Sequence, residues 1–327
     1  LSADLQKAAK AGGALVATVS RLDGASGLGG GAFDPAQGGL AGLCKTAADE
    51  WADVRCRALD VARDWSDSDA VADAICAELA GNGPIEVGLA PAKRRGLALA
   101  ERAVSADGEL SIGAGDVVLV TGGARGVTAA CALALAEAAQ PTLVLLGRSE
   151  PPEDEPAWAA TATDEAALKR AIVEHAFGGK KPAPAEIARE FAKLSAAREI
   201  RDSLARIAAT GARVLYRAVD VRDETAVAAL LDELRKSEGP VRGIVHGAGV
   251  IADQFIADKS DDAFERVLST KVNGLRSLLA GTQADELRIV ALFSSVSGRF
   301  GRRGQCDYAA ANEVLNKTAQ RMAAERP

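Results

Sequence analysis

Histidine, tyrosine and cysteine are all scarce in this 327-residue sequence, and each scarcity closes off a class of chemistry. The only histidines, His175 and His246, argue against a zinc site. The five cysteines, Cys44, Cys56, Cys76, Cys131 and Cys306, are odd in number and scattered, with neither CxxC spacing nor histidine partners. They read as reduced thiols of a cytoplasmic chain, not as a disulfide framework. No apolar run reaches the length of a bilayer span, so no membrane insertion is expected. There is no initiator Met and no basic region leading into an apolar signal, and the opening Leu1-Ser2-Ala3-Asp4 reads like the middle of something longer. Positive charge is not in excess: 39 Lys and Arg face 45 Asp and Glu, a net charge of −6, which argues against nucleic acid as the main partner. Aromatics are only 4% although 48% of residues are hydrophobic, so the core must be built from Ala, Val, Leu and Ile.

What is present alternates strand and helix. Gly13–Val19, Val54–Val61 and Pro84–Leu89 read as strands, separated by helices over Gly39–Trp51 and Asp69–Leu79, the latter capped by Asp67 or Ser68. This βαβαβ pattern implies a parallel sheet with right-handed crossovers. It carries no GxGxxG and no convergent acids, so residues 1–110 read as a structural half. The Gly24–Gly31 stretch lacks the following Lys-Ser/Thr of a phosphate cradle and reads as a flexible loop.

A second unit starts at Asp116. Val117–Val120 is a continuous apolar run of the buried parallel type, leading through Thr121–Thr128 into a helix that reaches Ala139. Leu143–Leu146 is the next strand. Residues 150–204 then form a long, proline-interrupted, helical stretch with Pro151, Pro152, Pro156, Pro182 and Pro184. It is either an insertion that lengthens one crossover or a surface for partners. Alternation resumes with strands at Arg213–Val219, Val241–Val245 and Ile289–Phe293, and helices at Glu224–Lys236, Phe264–Leu279 and Tyr308–Glu325. The expected fold class is α/β, with two Rossmann-like subdomains. The second, 111–327, is a doubly wound parallel sheet with a helical insertion after its second strand. One or two further strands are expected beyond the last helix.

Ligands of such sheets bind at the carboxyl ends of the strands. There lie Thr121, Gly122, Gly123, Arg125, Gly126 and Val127, then Gly147, Arg148 and Ser149, then Asp220 and Val221, then His246, Gly247, Ala248 and Gly249. The glycines let backbone approach a diphosphate at a helix N-terminus, where free N–H groups favour anions. Thr128 stands where a third glycine often packs helix on strand. The second strand ends in Gly147-Arg148-Ser149, not in an acid, and with Arg125 this suits a 2′-phosphate, favouring NADPH over NADH. Asp220 or its neighbour Val221 is a candidate contact for the adenine, while His246 reads as strand-end packing.

A hydroxyl pair, Ser294-Ser295, ends the last apolar strand, and Tyr308, one of two tyrosines, opens the following Ala-rich helix. A weak acid there is either a proton donor to a bound carbonyl or a packed turn residue.

Together these segments resemble the short-chain dehydrogenase/reductase superfamily and, within it, the ketoreductase domains of polyketide and fatty-acid synthases. The resemblance is carried by Thr121–Val127, Gly147–Ser149, His246–Gly249, Lys271–Gly274, Ser294-Ser295 and Tyr308–Asn312, with Gly39–Leu43 and Glu50–Arg57 resembling the non-catalytic subdomain. The run His246–Asp253 and the insertion look most like the polyunsaturated fatty acid synthase branch. This resemblance implies NADPH-dependent reduction of a 3-ketoacyl thioester, carried on an acyl carrier protein among neighbouring synthase domains. By resemblance Tyr308 is the general acid, Lys271 lowers its pKa and holds the nicotinamide ribose, Ser295 orients the carbonyl, and Asn312 anchors a water or Lys271. Many stand-alone reductases carry a Lys where Asn312 stands; in synthase ketoreductases it comes from the earlier helix, where Lys271 lies. Asp253 matches the residue diagnostic of a (3R) product, although Ile251-Ala252 replace the usual Leu-Asp, and Phe300 replaces the Trp of the opposite class. The alternatives are a catalytically silent scaffold domain and a stand-alone reductase of small ketones.

Overall fold

The computed structural model describes residues 2–101, 103, 110–151, 154–178 and 182–325. The boundary expected after residue 110 adjoins residues 104–109, which lie outside the described residues, as does Pro152. In chain order the first half comprises α1 (Ser2–Ala11), β1 (Ala14–Ser20), a 3₁₀ turn (Pro35–Gly38), α2 (Gly39–Glu50), β2 (Val54–Val61), α3 (Ser68–Ala80), β3 (Glu86–Ala90) and β4 (Lys93–Gly96). There follow β5 (Val117–Thr121), α4 (Gly126–Ala139), β6 (Thr142–Gly147), α5 (Ala157–Ala160), α6 (Glu165–His175), α7 (Pro184–Ala209), β7 (Val214–Ala218), α8 (Glu224–Ser237) and β8 (Val241–His246). The chain closes with α9 (Asp261–Gly281), β9 (Ile289–Leu292), α10 (Val296–Phe300) and α11 (Cys306–Glu325).

The first sheet has the order β1-β2-β3-β4, with the first two pairs parallel and β3–β4 antiparallel. The βαβαβ expectation therefore gains an antiparallel edge strand. Its sequence, Lys-Arg-Arg-Gly, is charged and fully exposed, as edge strands that resist further pairing commonly are. The second sheet has the order β7-β6-β5-β8-β9. Its pairs β7–β6, β6–β5 and β5–β8 are parallel, and strand order reverses at β5. All five residues of β5 are buried, which is why its sequence is an uninterrupted apolar run ending in one threonine.

By packing, the chain forms two compact units. The first gathers Leu1–Gly108, Gly249–Arg276 and Leu292–Pro327; the second gathers Glu109–Ala248 and Ser277–Ala291. In the first unit a core of Cys44, Ala47, Trp51, Val54, Cys56 and Ala58 lies between α2 and the sheet, and α3 covers Leu59, Val61, Val87 and Leu89 on another part of it. Helix α2 also packs closely on α11: a Cβ at Gly42 would lie 2.5 Å from Ala309 O. In the second unit the core joins Leu119, Val144, Leu146 and Ile244 of the strands to Leu230, Leu231 and Leu234 of α8.

The Gly24–Gly31 loop is tied down, not flexible. Asp23 accepts from the amides of Ala25, Gly27 and Gly29 at 2.6–2.9 Å, and Asp60 from those of Leu22 and Ser26 at 2.8 Å. Four of its amides, those of Ala25, Ser26, Gly27 and Gly29, are thus held by the carboxylates of Asp23 and Asp60. Asp67 caps α3, accepting from Ala70 N at 3.1 Å. The insertion extends to Ala209, because α7 runs 26 residues, and it has its own small core of Ala159, Leu168, Ile172 and Leu194. Two short helices, α1 and α10, were not expected, and α11 begins at Cys306, so Tyr308 is its third residue and not its first. No helix among the described residues is long and apolar enough to cross a membrane. Among them, no group of three or more His, Cys, Asp and Glu residues is placed to hold a metal.

Candidate active site

In the first unit, α9, the end of β9, α10 and α11 bring together the polar residues that the sequence singles out. Lys271 projects from α9 and is 3% exposed. Its Nζ donates to Phe293 O at 2.9 Å and lies 5.2 Å from the centre of the Tyr308 ring. Burial pushes the ammonium down to about 8, because removal from water disfavours its charged form. Gly249 makes room for this side chain: a Cβ there would lie 3.2 Å from Lys271 Cε.

Ser295 caps α10, its Oγ accepting from Ser297 N at 3.1 Å. A chain of contacts runs from it. Ser295 Oγ donates to Ser297 Oγ at 3.2 Å, and Ser297 Oγ donates to Gln305 Oε1 at 2.9 Å. Gln305 Nε2 in turn donates to both carboxylate oxygens of Asp253, at 3.1 and 3.2 Å. Asp253 and Ser295 are thereby linked through two residues that sequence reasoning missed. The spacing of Gln305 and Ser297 gave no sign of this, since the contacts depend on how the loop before α11 folds.

That loop is held from outside. Glu50 at the end of α2 accepts from Gly304 N at 2.9 Å and Ile256 N at 2.7 Å, and Asp49 accepts from Arg303 N at 3.0 Å. Within α11, Asp307 accepts from Tyr308 N at 2.8 Å and pairs with buried Lys259 at 2.7 Å. Tyr308 itself is partly exposed. One turn on, Asn312 Nδ2 donates to Tyr308 O at 2.8 Å. Its Oδ1 is buried, and no donor among the described residues reaches it, a condition that costs stability unless a ligand or water serves it. Phe300, the last residue of α10, is 58% exposed, a large apolar side chain left in solvent.

The second unit carries the Gly-rich turn. Thr121 closes β5 fully buried; its Oγ1 accepts from Ala248 N at 3.0 Å and lies 2.9 Å from His246 Nδ1. His246 therefore packs and bonds at the strand end. Gly122 has φ +68°, and a Cβ there would crowd Gly247 O at 3.0 Å, so both steric room and backbone conformation call for glycine. Thr128, in the place of the third glycine, fits because its neighbour is Gly247: a Cβ on Gly247 would collide with the Thr128 side chain. The close approach of helix to strand end is thus made possible by the glycine at the strand end.

Helix α4 starts at Gly126 with Arg125 as a cap that makes no side-chain capping bond. Glu199 of α7 occupies this end instead, its Oε1 accepting from Gly126 N at 2.8 Å and its Oε2 from Arg125 Nε at 2.7 Å. The turn thus holds a carboxylate through one backbone N–H and one guanidinium. Glu199 lies 74 residues from Arg125 and had no sequence signal. Arg148 and Ser149 are exposed at the end of β6, and the Tyr216 hydroxyl donates to Ser149 O at 2.9 Å. Asp220 is engaged by Arg222 at 2.6 Å, and that guanidinium, with Arg148 acting from further off, holds its carboxyl below the usual range. Val221 beside it is buried.

A family model described as the KR domain matches residues 116–326. A polyunsaturated fatty acid synthase polypeptide of Thraustochytrium sp. is 37% identical over 318 residues, covering 91% of this chain and 11% of that protein. Polyketide synthase PksL of Bacillus subtilis is 42% identical over 106 residues, 32% of this chain and 2% of its own length. The chain therefore spans a small fraction of these relatives. Among solved structures, the ketoreductase from the first module of phoslactomycin biosynthesis in Streptomyces sp. HK803 aligns with TM-score 0.70 at 26% identity, covering 99% of this chain and 65% of that one. An N-terminal ketoreductase from the macrolactin assembly line shares the fold, with TM-score 0.69 at 24% identity over 97% of this chain and 54% of that one.

Proposed function

Since this chain belongs to the KR domain family, we propose that it reduces the ketone of a 3-ketoacyl thioester, carried on an acyl carrier protein, to the 3-hydroxyacyl thioester. It uses NADPH and yields the (3R) alcohol, as one domain of a polyketide or polyunsaturated fatty acid synthase. Residues 111–327 carry the chemistry and residues 1–110 support them. The observation that carries this reading is the buried Lys271 nitrogen 5.2 Å from the Tyr308 ring, with Asn312 bonded to the backbone of that same tyrosine.

When bound, NADPH supplies the hydride. The turn Thr121–Val127 would take its diphosphate, and Arg148 with Ser149 its 2′-phosphate; the carboxylate already held by Gly126 N and Arg125 supports an anion at that turn. Tyr308 gives its phenolic proton to the carbonyl oxygen as negative charge develops there. Ser295 turns its hydroxyl from Ser297 to the same oxygen, while the Ser297 amide keeps Oγ in place. The Lys271 ammonium favours the phenolate left on Tyr308. Asn312 fixes the Tyr308 main chain and offers Oδ1 as an acceptor. Asp253, held by Gln305, directs the substrate towards the (3R) face.

The test is NADPH oxidation by the purified chain with a surrogate 3-ketoacyl thioester, followed at the nicotinamide absorbance. Turnover that falls by two orders of magnitude or more, at roughly the scale of a lost general acid, is expected for Tyr308→Phe. Absence of turnover in the parent chain would favour a silent scaffold, and chiral analysis showing the (3S) alcohol would overturn the stereochemical part.

A further inference from the structure

We infer that Glu199, on the inserted helix α7, is an internal competitor for the cofactor's diphosphate, seated on the Gly-rich turn until NADPH displaces it. This rests on the reading that Thr121–Val127 holds NADPH.

The first N–H groups of a helix have no partner within it and attract anions. In α4 the Gly126 N–H is already taken, at 2.8 Å, by Glu199 Oε1. The other oxygen takes Arg125 Nε at 2.7 Å. One carboxylate thus holds a backbone donor and the guanidinium assigned to the cofactor. A phosphate needs those donors too, and it is repelled by the carboxylate's charge at close range. The Arg125 guanidinium holds the Glu199 carboxyl below its ordinary range, so the competing charge is present at neutral pH.

Helix α7 is well fixed in this position. Glu155 accepts from Arg198 at 2.6 Å and from Arg201 at 3.2 Å, on either side of Glu199, and Arg198 also donates to Ala159 O at 2.6 Å. Ile200 is buried. The Glu199 and Arg125 side chains, by contrast, are 41% and 55% exposed. Displacement therefore needs only the Glu199 side chain to swing into solvent, while the helix stays. The competing explanation is that Glu199 merely caps α4. A cap adds stability to the fold without weakening cofactor binding, so the two roles differ in what they do to affinity.

Titration of the whole chain with NADPH, read by nicotinamide fluorescence, tests this with Glu199→Gln and Glu199→Asp alongside thermal melting of each. Glu199→Gln is expected to bind NADPH roughly three- to tenfold more tightly, the scale of one charged contact removed from competition. Glu199→Asp keeps the charge on a side chain one methylene shorter and falls between the two. Inorganic pyrophosphate is expected to compete with NADPH more effectively in Glu199→Gln than in the parent chain. Equal or weaker NADPH affinity in Glu199→Gln, with the parent chain still binding, overturns the competitor role; if its melting temperature falls as well, the carboxylate is a cap. Absence of NADPH binding in the parent and both variants instead removes the cofactor reading of the turn, and the inference with it.

Discussion

At the scale of single residues, Lys271 sets two pH dependences that run in opposite directions. Burial lowers its pKa from 10.5 to about 8. If the ammonium assists Tyr308, kcat/KM falls as pH rises through about 8, because the charged form is being lost. Stability moves the other way. Between about 8 and 10.5 the unfolded chain binds more protons at this residue than the folded one, so stability rises with pH over that window. Lys271→Met is expected to flatten both trends at once, in pH–rate and pH–melting profiles, while lowering turnover at neutral pH. A second expectation concerns Gly247, whose missing Cβ accommodates Thr128. Gly247→Ala should lower the melting temperature, and adding Thr128→Gly should recover part of the loss. Ser295 and Tyr308 stood out in the sequence as polar groups at a strand end and in an Ala-rich helix, whereas Lys271 and Asn312 came only with the family resemblance. Gln305, Ser297 and Glu199 were not legible, because what distinguishes them is a partner brought close by tertiary folding.

At the scale of elements, α11 is held by α2 through charge as well as close packing. Buried Lys45 of α2 pairs with Glu313 of α11 at 3.0 Å and with Glu86 of β3 at 3.1 Å. Lys317 and Arg299 complete the network at 3.1 and 2.9 Å. Glu313 adjoins Asn312, so this network fixes the helix turn that follows Tyr308. Lys45→Met leaves Glu86 with Arg299 alone and Glu313 with Lys317 alone, and is expected to cost about 1–3 kcal/mol, measurable by chemical denaturation. A value near zero would mean that water or the remaining cations serve these acids. The same contrast explains which elements could be read from sequence. Strands β5, β6 and β8 carry buried apolar runs and β2 alternates apolar with polar residues in its first half, and all four were found close to their ends. Strand β4 has no apolar face, and α10 lies within Ser- and Gly-rich sequence that resembles a loop. The register of α11 was misjudged by two residues because its first turn, Cys306-Asp307, is recognisable as helical only from its contacts.

At the scale of the whole molecule, the linear division near residue 110 and the division by packing differ, because Gly249–Arg276 and Leu292–Pro327 pack with the first residues. Periodicity in the sequence identifies elements, but it does not say which distant segments share a core. This has a measurable consequence for truncation. A chain of residues 111–327 alone loses Lys45, Asp49, Glu50 and the Gly42 face of α2, and with them the supports of α11 and of the loop before it. It is expected to be poorly soluble or partly unfolded by circular dichroism, and inactive; a folded and active fragment would show that residues 1–110 are dispensable. Lys45 and Glu313 are also separated by 268 residues. At a synthesis rate of about 5–20 residues per second, Lys45 leaves the ribosome on the order of 10–50 s before its partner exists. For that interval Lys45 and the Gly42 face of α2 lack the helix that covers them in the folded chain, so this part of the core closes only after α11 has been made.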